Sequence, residues 1–232
     1  MSAKNVAIIP ARWGSKRLPH KNGRDFYGKT VVGYTIESAL ESGVFENVIL
    51  STDNGALIKQ YSNVCRIHDR PTTLAGDEVR LVTVVAEILR EWEDRGKAYD
   101  NLCVLYATAP LRDSVDILCS YILLLESGAD FCMGVSEYEK RLWHAFRRET
   151  GRIVRAFPEQ AFNVMNRQDY YRDNGSIYWA KVEAFKKVGE FEGPNTAGYV
   201  MPRWKGFDVD TQADWDRLEW EAGRHGWAKK PE

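Results

Sequence analysis

The chain has 232 residues, 44% hydrophobic and 12% aromatic, enough to build one α/β domain with a full core and too apolar for a disordered segment. Its 32 Lys and Arg balance 33 Asp and Glu to a formal net charge of −1, which argues against a general nucleic-acid surface and makes the basic residues act locally. Cys65, Cys103, Cys119 and Cys132 lack CxxC spacing and the four histidines are scattered, so neither a zinc site nor a disulfide framework is expected. No apolar run approaches the length of a membrane span and the N-terminus runs straight into a strand, which together predict a cytoplasmic protein.

Strand-like and helical runs alternate, the pattern of a parallel sheet with crossover helices. Asn5 to Ile9 reads as a buried strand, Thr30 to Ser42 as a helix stopped by Gly43, and Val48 to Ser51 as the second strand. A helix over 55–61 leads to a short strand near Cys65–Ile67. Val79 to Arg95 follows as a long helix, with Val82, Val85, Ile88, Leu89 and Trp92 inward. Leu102 to Tyr106 is the best central strand, Ser114 opens a helix, and Phe131 to Val135 is a further strand. The rhythm then changes: residues 137–173 are charged and aromatic without periodicity and read as an inserted arm within a single domain spanning 1–232. Gly175–Ala180 and Tyr199–Met201 return as strands, and a last helix starts near Thr211.

The segment after the first strand carries the most functional information. It reads Pro10-Ala11-Arg12-Trp13-Gly14-Ser15-Lys16-Arg17-Leu18-Pro19-His20-Lys21-Asn22, with four cations and small residues at 14 and 15. Cations and open backbone directly after an N-terminal strand are suited to a polyanion. A rival lies just beyond: Gly23 to Thr30 satisfies the P-loop pattern G-x-x-x-x-G-K-[ST]. That motif needs a strand immediately before its first glycine, whereas Leu18 to Asn22 stands there, and Phe26 and Tyr27 fill the middle. The segment instead predicts an apolar Phe26 tucked under the sheet, a turn at Gly28 and a helix.

Taken with later motifs, this loop resembles the cytidylyltransferases that activate nine-carbon keto sugar acids, the acylneuraminate and pseudaminate cytidylyltransferases. The resemblance runs from Ile8 to about Leu218. It rests on Ile9 to Asn22, Phe26 to Thr30, Ser51-Thr52-Asp53, Arg70-Pro71 with Leu74-Ala75, Tyr106 to Pro110, Asn174-Gly175 with Tyr178, and Asp208 to Thr211. Trp13 departs from it, standing where the family has the first glycine of a pair. Leu81 departs too, near where sialate-activating relatives offer a serine to the base.

The resemblance implies a Rossmann-like nucleotidyltransferase sheet with helices on both faces, and attack by the C2 hydroxyl of a keto sugar acid on the α-phosphorus of CTP. Pyrophosphate leaves. Arg12 and Lys21 are then the candidates for the α-phosphate and the departing pyrophosphate, Ser15 and Lys16 for the β/γ end, and Asn22 for the ribose or a phosphate oxygen. The backbone of Ala11, Trp13 and Gly14 completes the nucleotide loop, with the N–H of residue 13 facing the ligand, and Arg70 faces cytosine. Asp208 and Asp210, at i and i+2 on an extended segment, share a face and are candidate ligands for Mg²⁺, unless one merely caps the last helix. Tyr106, Arg167, Gln168, Arg172 and Tyr178 are the acceptor candidates. Tyr106, where sialate-activating relatives carry glutamine, resembles the pseudaminate-activating branch, although Asn174-Gly175 resembles the sialate side. The inserted arm implies a homodimer.

Overall fold

In the computed structural model, which describes residues 3–138, 142–159 and 169–227, the first apolar run forms β1 (Asn5–Pro10). A hairpin follows, β2 (Asp25–Phe26) and β3 (Lys29–Thr30), whose two turn residues, Tyr27 and Gly28, have φ of 51° and 83°. Two consecutive positive φ values are what a tight two-residue hairpin turn requires, and glycine adopts one without strain. Thr30 caps α1 (Val31–Glu41) by accepting from the Gly33 N–H. Then come β4 (Asn47–Thr52), α2 (Gly55–Tyr61), β5 (Arg66–Asp69) and α3 (Leu81–Asp94). These are followed by β6 (Asn101–Leu105), α4 (Ser114–Glu126) and β7 (Phe131–Glu137). A small hairpin, β8 (Phe146–Glu149) and β9 (Arg152–Arg155), precedes β10 (Tyr171–Lys181). The described chain closes with α5 (Val182–Val188), β11 (Thr196–Val200) and α6 (Gln212–Arg224).

Seven strands form one sheet in the order β11-β7-β10-β6-β1-β4-β5. Alternate residues of β1 enter different cores, as strand periodicity dictates. Ala7 and Ile9 pack with Val32 and Ile36 of α1 and Ile117 of α4, whereas Val6 and Ile8 pack with Val84, Val85 and Ile88 of α3. Helices therefore cover both faces. Within α3, Val85, Ile88, Leu89 and Trp92 are buried as expected, and Val84 is buried where Val82 is only partly so. A third cluster joins Leu18, Phe26 and Val31 to Trp215 and Leu218 of α6 and seats that helix against the loop after β1.

The expected parallel sheet is present, with one strand reversed. β10 runs antiparallel to both β6 and β7, while the remaining neighbouring pairs are parallel. Among the described residues no α-helix separates β7 from β10, and the two strands pair antiparallel, which needs no helical crossover. The strand order reverses between β1 and β6. Loops leaving adjacent strands at such a point diverge and open a crevice at the strands' C-terminal ends.

Candidate active site

A cleft of about 310 Å³ opens at that reversal. Pro10, Arg12, Arg17, Lys21 and Asn22 line it from the loop after β1, and Tyr106, Ala107 and Thr108 from the loop after β6. Arg70, Leu74, Gly76, Val79, Leu81 and Val84 supply a largely apolar wall, and Asp208 and Asp210 enter from the segment before α6. Residues drawn from four separate parts of the sequence thus meet in one place, with cations, carboxylates and an apolar wall together.

The loop after β1 is held by the end of β4. Thr52 Oγ1 donates to the Ala11 carbonyl at 2.6 Å, and the Ala11 N–H donates to the Ser51 carbonyl at 2.8 Å. Ala11 is fully buried with both peptide groups engaged, so its contribution is to anchor the loop. The N–H of Trp13, expected to face a ligand, donates instead to Asp53 Oδ1 at 2.7 Å. Its indole stacks on His20 with ring centroids 4.3 Å apart and presses on Gly23, where a Cβ would lie 2.6 Å from the ring. Trp13 therefore braces the loop from outside the cleft lining. Ser51-Thr52-Asp53 is a scaffold for the loop, each member making one of its ties.

Gly14 is exposed, with nothing within 4 Å of the position a Cβ would take, which leaves its backbone open to approach. The Ser15 N–H donates to the Trp13 carbonyl at 2.8 Å, and Lys16 projects outward, 82% exposed. Asn22 is buried; its Nδ2 donates to the Arg12 carbonyl at 2.9 Å, and its Oδ1 has no hydrogen-bond partner among the described residues.

Asp208 and Asp210 both face the cleft, as their spacing predicts. Asp210 does not cap α6: Thr211 does, in a reciprocal box with Asp214. Asp210 instead accepts from Lys21 Nζ and Arg17 Nη2, each at 2.6 Å. Asp208 is packed against Gly175, whose φ is 67° and whose Cβ, were there one, would sit 2.9 Å from the Asp208 Cγ. Burial and the neighbouring Asp210 raise the Asp208 carboxyl above its ordinary pKa, and Lys21 partly opposes them. The Val209 N–H, between the two, donates to the Thr108 carbonyl at 2.8 Å and ties this segment to the loop after β6.

Arg70 is buried, with Nε on Ser51 Oγ and Nη2 on the Ser51 carbonyl, both at 3.0 Å; burial lowers its pKa to about 10. Ser51 Oγ also meets His68 Nδ1 at 2.9 Å, so a buried network presents the guanidinium to the cleft. On the other side Tyr106 lies 5.0 Å from Tyr178, ring to ring, and the Tyr178 hydroxyl donates to both oxygens of Asp173 at 2.8 Å. Burial, Asp173 and Asp208 push the Tyr106 phenol up to about 12, so it remains a neutral hydrogen-bonding group. Tyr178 supports Tyr106 from behind without lining the cleft. Arg172 pairs across to Ser136 of β7, outside the lining. Arg167 and Gln168 lie outside the described residues.

Two carboxylates escaped the sequence reading. Asp77 pairs with both Arg12 and Lys16, and Asp173 orients Tyr178. Asp173 adjoins the Asn174-Gly175 motif, a local cue; Asp77, close after Leu74-Ala75, offers none beyond that proximity. The P-loop-like string is explained without phosphate. Gly23 makes room for Trp13, Gly28 turns the hairpin, Lys29 pairs with Glu37 beneath the Tyr34 ring, and Thr30 caps α1.

No set of three or more Asp, Glu, His or Cys side chains able to hold a metal gathers among the described residues. Asp208 and Asp210 nonetheless fit Mg²⁺, which is commonly held by one or two carboxylates together with phosphate oxygens and water. Asp208 makes no ion pair among the described residues, and its repulsion from Asp210 would be relieved by a cation.

The family match and the relatives below make this chain a nucleotidyltransferase. The fold is shared with a CMP:2-keto-3-deoxy-manno-octonic acid synthetase solved in complex with CTP, at a TM-score of 0.72 and 15% identity over 96% of this chain and all of that one. A family model described as cytidylyltransferase matches residues 6–186, and the chain belongs to that family. It is 33% identical to a pseudaminic acid cytidylyltransferase of Campylobacter jejuni subsp. jejuni over 91% of this chain and 93% of the relative. A CMP-N,N'-diacetyllegionaminic acid synthase of Legionella pneumophila is 28% identical over 92% and 94%. An N-acylneuraminate cytidylyltransferase of Escherichia coli is 29% identical over 93% of this chain but only 51% of the relative.

Proposed function

We propose that this enzyme transfers the CMP group of CTP to the C2 hydroxyl of pseudaminic acid, or of a close 5,7-diamino nonulosonic acid. The C2 hydroxyl gives up its proton to solvent as a bond forms between its oxygen and the α-phosphorus, the bond from that phosphorus to the bridging oxygen breaks, and pyrophosphate departs. The observation that carries this reading is the convergence of Arg12, Lys21, Asp208, Asp210 and Tyr106 on one cleft at the sheet's reversal point.

The chemistry asks little covalent work of the protein. Arg12 and Lys21 would hold the α-phosphate and the leaving pyrophosphate while negative charge shifts between them. Lys16, Ser15 and the open backbone at Gly14 would take the β/γ end. Arg70 and the apolar wall of Leu74, Val79 and Leu81 would seat the base. With Leu81 replacing a serine, base recognition falls to Arg70 and backbone groups. Asp208 and Asp210 would hold Mg²⁺, which when bound neutralises phosphate oxygens.

Tyr106 supports the choice of acceptor. A phenol offers one donor and an aromatic wall where a glutamine offers two donors and an acceptor, so the two favour differently displayed substituents. The 33% identity to a pseudaminic acid cytidylyltransferase points the same way. The surface around the β8/β9 hairpin supports a homodimer, since Ile153 and Phe146 are 71% and 52% exposed. A cytoplasmic site of action suits a nucleotide substrate and the free cysteines. The acceptor assignment is tested by comparing kcat/KM for pseudaminic and N-acetylneuraminic acids. A preference of at least roughly tenfold for pseudaminic acid is expected, and a preference for N-acetylneuraminic acid would move the chain to the sialate branch despite Tyr106.

A further inference from the structure

Asp77 lies on the connection into α3, between Gly76 and Val79 of the cleft wall, yet it is not part of that lining. Its two oxygens are divided between two cations of the loop after β1. Oδ1 meets Arg12 Nη1 and Oδ2 meets Lys16 Nζ, each at 2.5 Å. One carboxylate therefore spans the two side chains assigned to different ends of a triphosphate. Lys16 and then Arg12 hold its carboxyl down at about 2, so Asp77 is an anion throughout the working pH range. Asp210 neutralises Arg17 and Lys21 in the same manner, but it faces the cleft and is already assigned to the reaction.

We propose that Asp77 is an exchangeable counter-ion that competes with phosphate oxygens for Arg12 and Lys16. CTP must displace it to engage both cations, and it recaptures them as pyrophosphate leaves. The inference rests on reading the loop as the triphosphate site. Its consequence is selective: neutralising Asp77 strengthens every ligand that uses those two cations and leaves unchanged a ligand that uses only the base wall. The competition is electrostatic between partly exposed groups, so salt weakens it.

The experiment is calorimetric titration of inorganic pyrophosphate, CTP and cytidine into the wild-type protein, Asp77→Asn and Asp77→Ala. Both variants are expected to bind pyrophosphate and CTP roughly three- to tenfold more tightly, the worth of two partly exposed ion pairs. Cytidine affinity stays the same, and the difference shrinks at about 0.5 M salt. Equal or weaker pyrophosphate binding by both variants would overturn the proposal and leave Asp77 as a brace for the loop. If none of the three proteins binds pyrophosphate or CTP, the phosphate-site reading itself falls, and the counter-ion with it.

Discussion

Lys21 and Lys29 stand on the same stretch of chain and each salt-bridges a carboxylate, yet their surroundings differ in kind. Lys21 reaches Asp210, 189 positions along the sequence, and its side chain is 18% exposed beside the cleft. Lys29 reaches Glu37, 8 positions away, and is 36% exposed on the outer side of α1. The string around Lys29 matches a phosphate-binding pattern by letter, but its contacts are structural: Lys29 pairs with Glu37, Thr30 caps α1 and Phe26 packs against Trp215 of α6. The string around Lys21 matches no P-loop pattern, and Lys21 and Arg17 find their partner, Asp210, near the other end of the sequence. Chemistry here follows long-range convergence, and a short motif has meaning only in its structural context.

Substitution separates the two lysines most sharply. Lys21→Ala should lower kcat on the order of 10²-fold or more, since the proposed role of Lys21 is to meet charge in the transition state. Lys29→Ala should change kcat by less than about threefold, since only a surface ion pair goes. Steady-state pyrophosphate release measures both, and the reverse ranking would restore the P-loop reading.

The carboxylates sharpen the same contrast. Asp210→Asn should reduce turnover on the order of 10-fold or more, with partial recovery at raised Mg²⁺ or with Mn²⁺. Full activity in this variant would make Asp210 a structural partner of Lys21 and place any metal elsewhere.

Arg70→Lys keeps the charge but cannot hold Ser51 through two nitrogens. KM for CTP should rise roughly tenfold, equivalent to about 1.4 kcal/mol, while kcat changes little if Arg70 serves binding alone. A selective fall in kcat would instead assign it to the transition state.

The smallest effect is on stability. Asp208 has a folded-state pKa raised above its ordinary 3.8, with burial the leading cause. The folded protein therefore holds this proton more tightly than the unfolded chain, and stability falls as pH rises through the window above 3.8. Asp208→Asn removes that penalty. Its Tm should exceed the wild-type value on the order of 2 °C at neutral pH, and the two should converge in acid. A lower Tm for the variant at neutral pH would contradict this account of the Asp208 environment.

Much of this was legible in the sequence because it is written locally. The cations of residues 12 to 21 follow one strand, and the i, i+2 spacing of Asp208 and Asp210 alone puts both on one face. The helix over 55–61 and the start of the last helix near Thr211 follow from local patterns as well. What was not legible depends on distant partners. The direction of β10 is not encoded in its own alternation, because a strand reads the same whichever way its neighbours run. The Trp13 N–H turns to Asp53, and its indole finds space only because Gly23 lacks a side chain. Asp77 looks like any surface carboxylate until the fold sets it between Arg12 and Lys16.

In the proposed reaction the cleft between the loops after β1 and β6 moves a CMP group rather than a phosphoryl group. The most direct test incubates the wild-type enzyme with CTP or ATP, Mg²⁺ and pseudaminic acid, and follows all phosphorus-containing products by phosphorus NMR. One CMP-linked sugar acid is expected for each pyrophosphate formed from CTP, with ATP a poor donor. Nucleoside diphosphate as the product, or equal turnover with ATP, would contradict it.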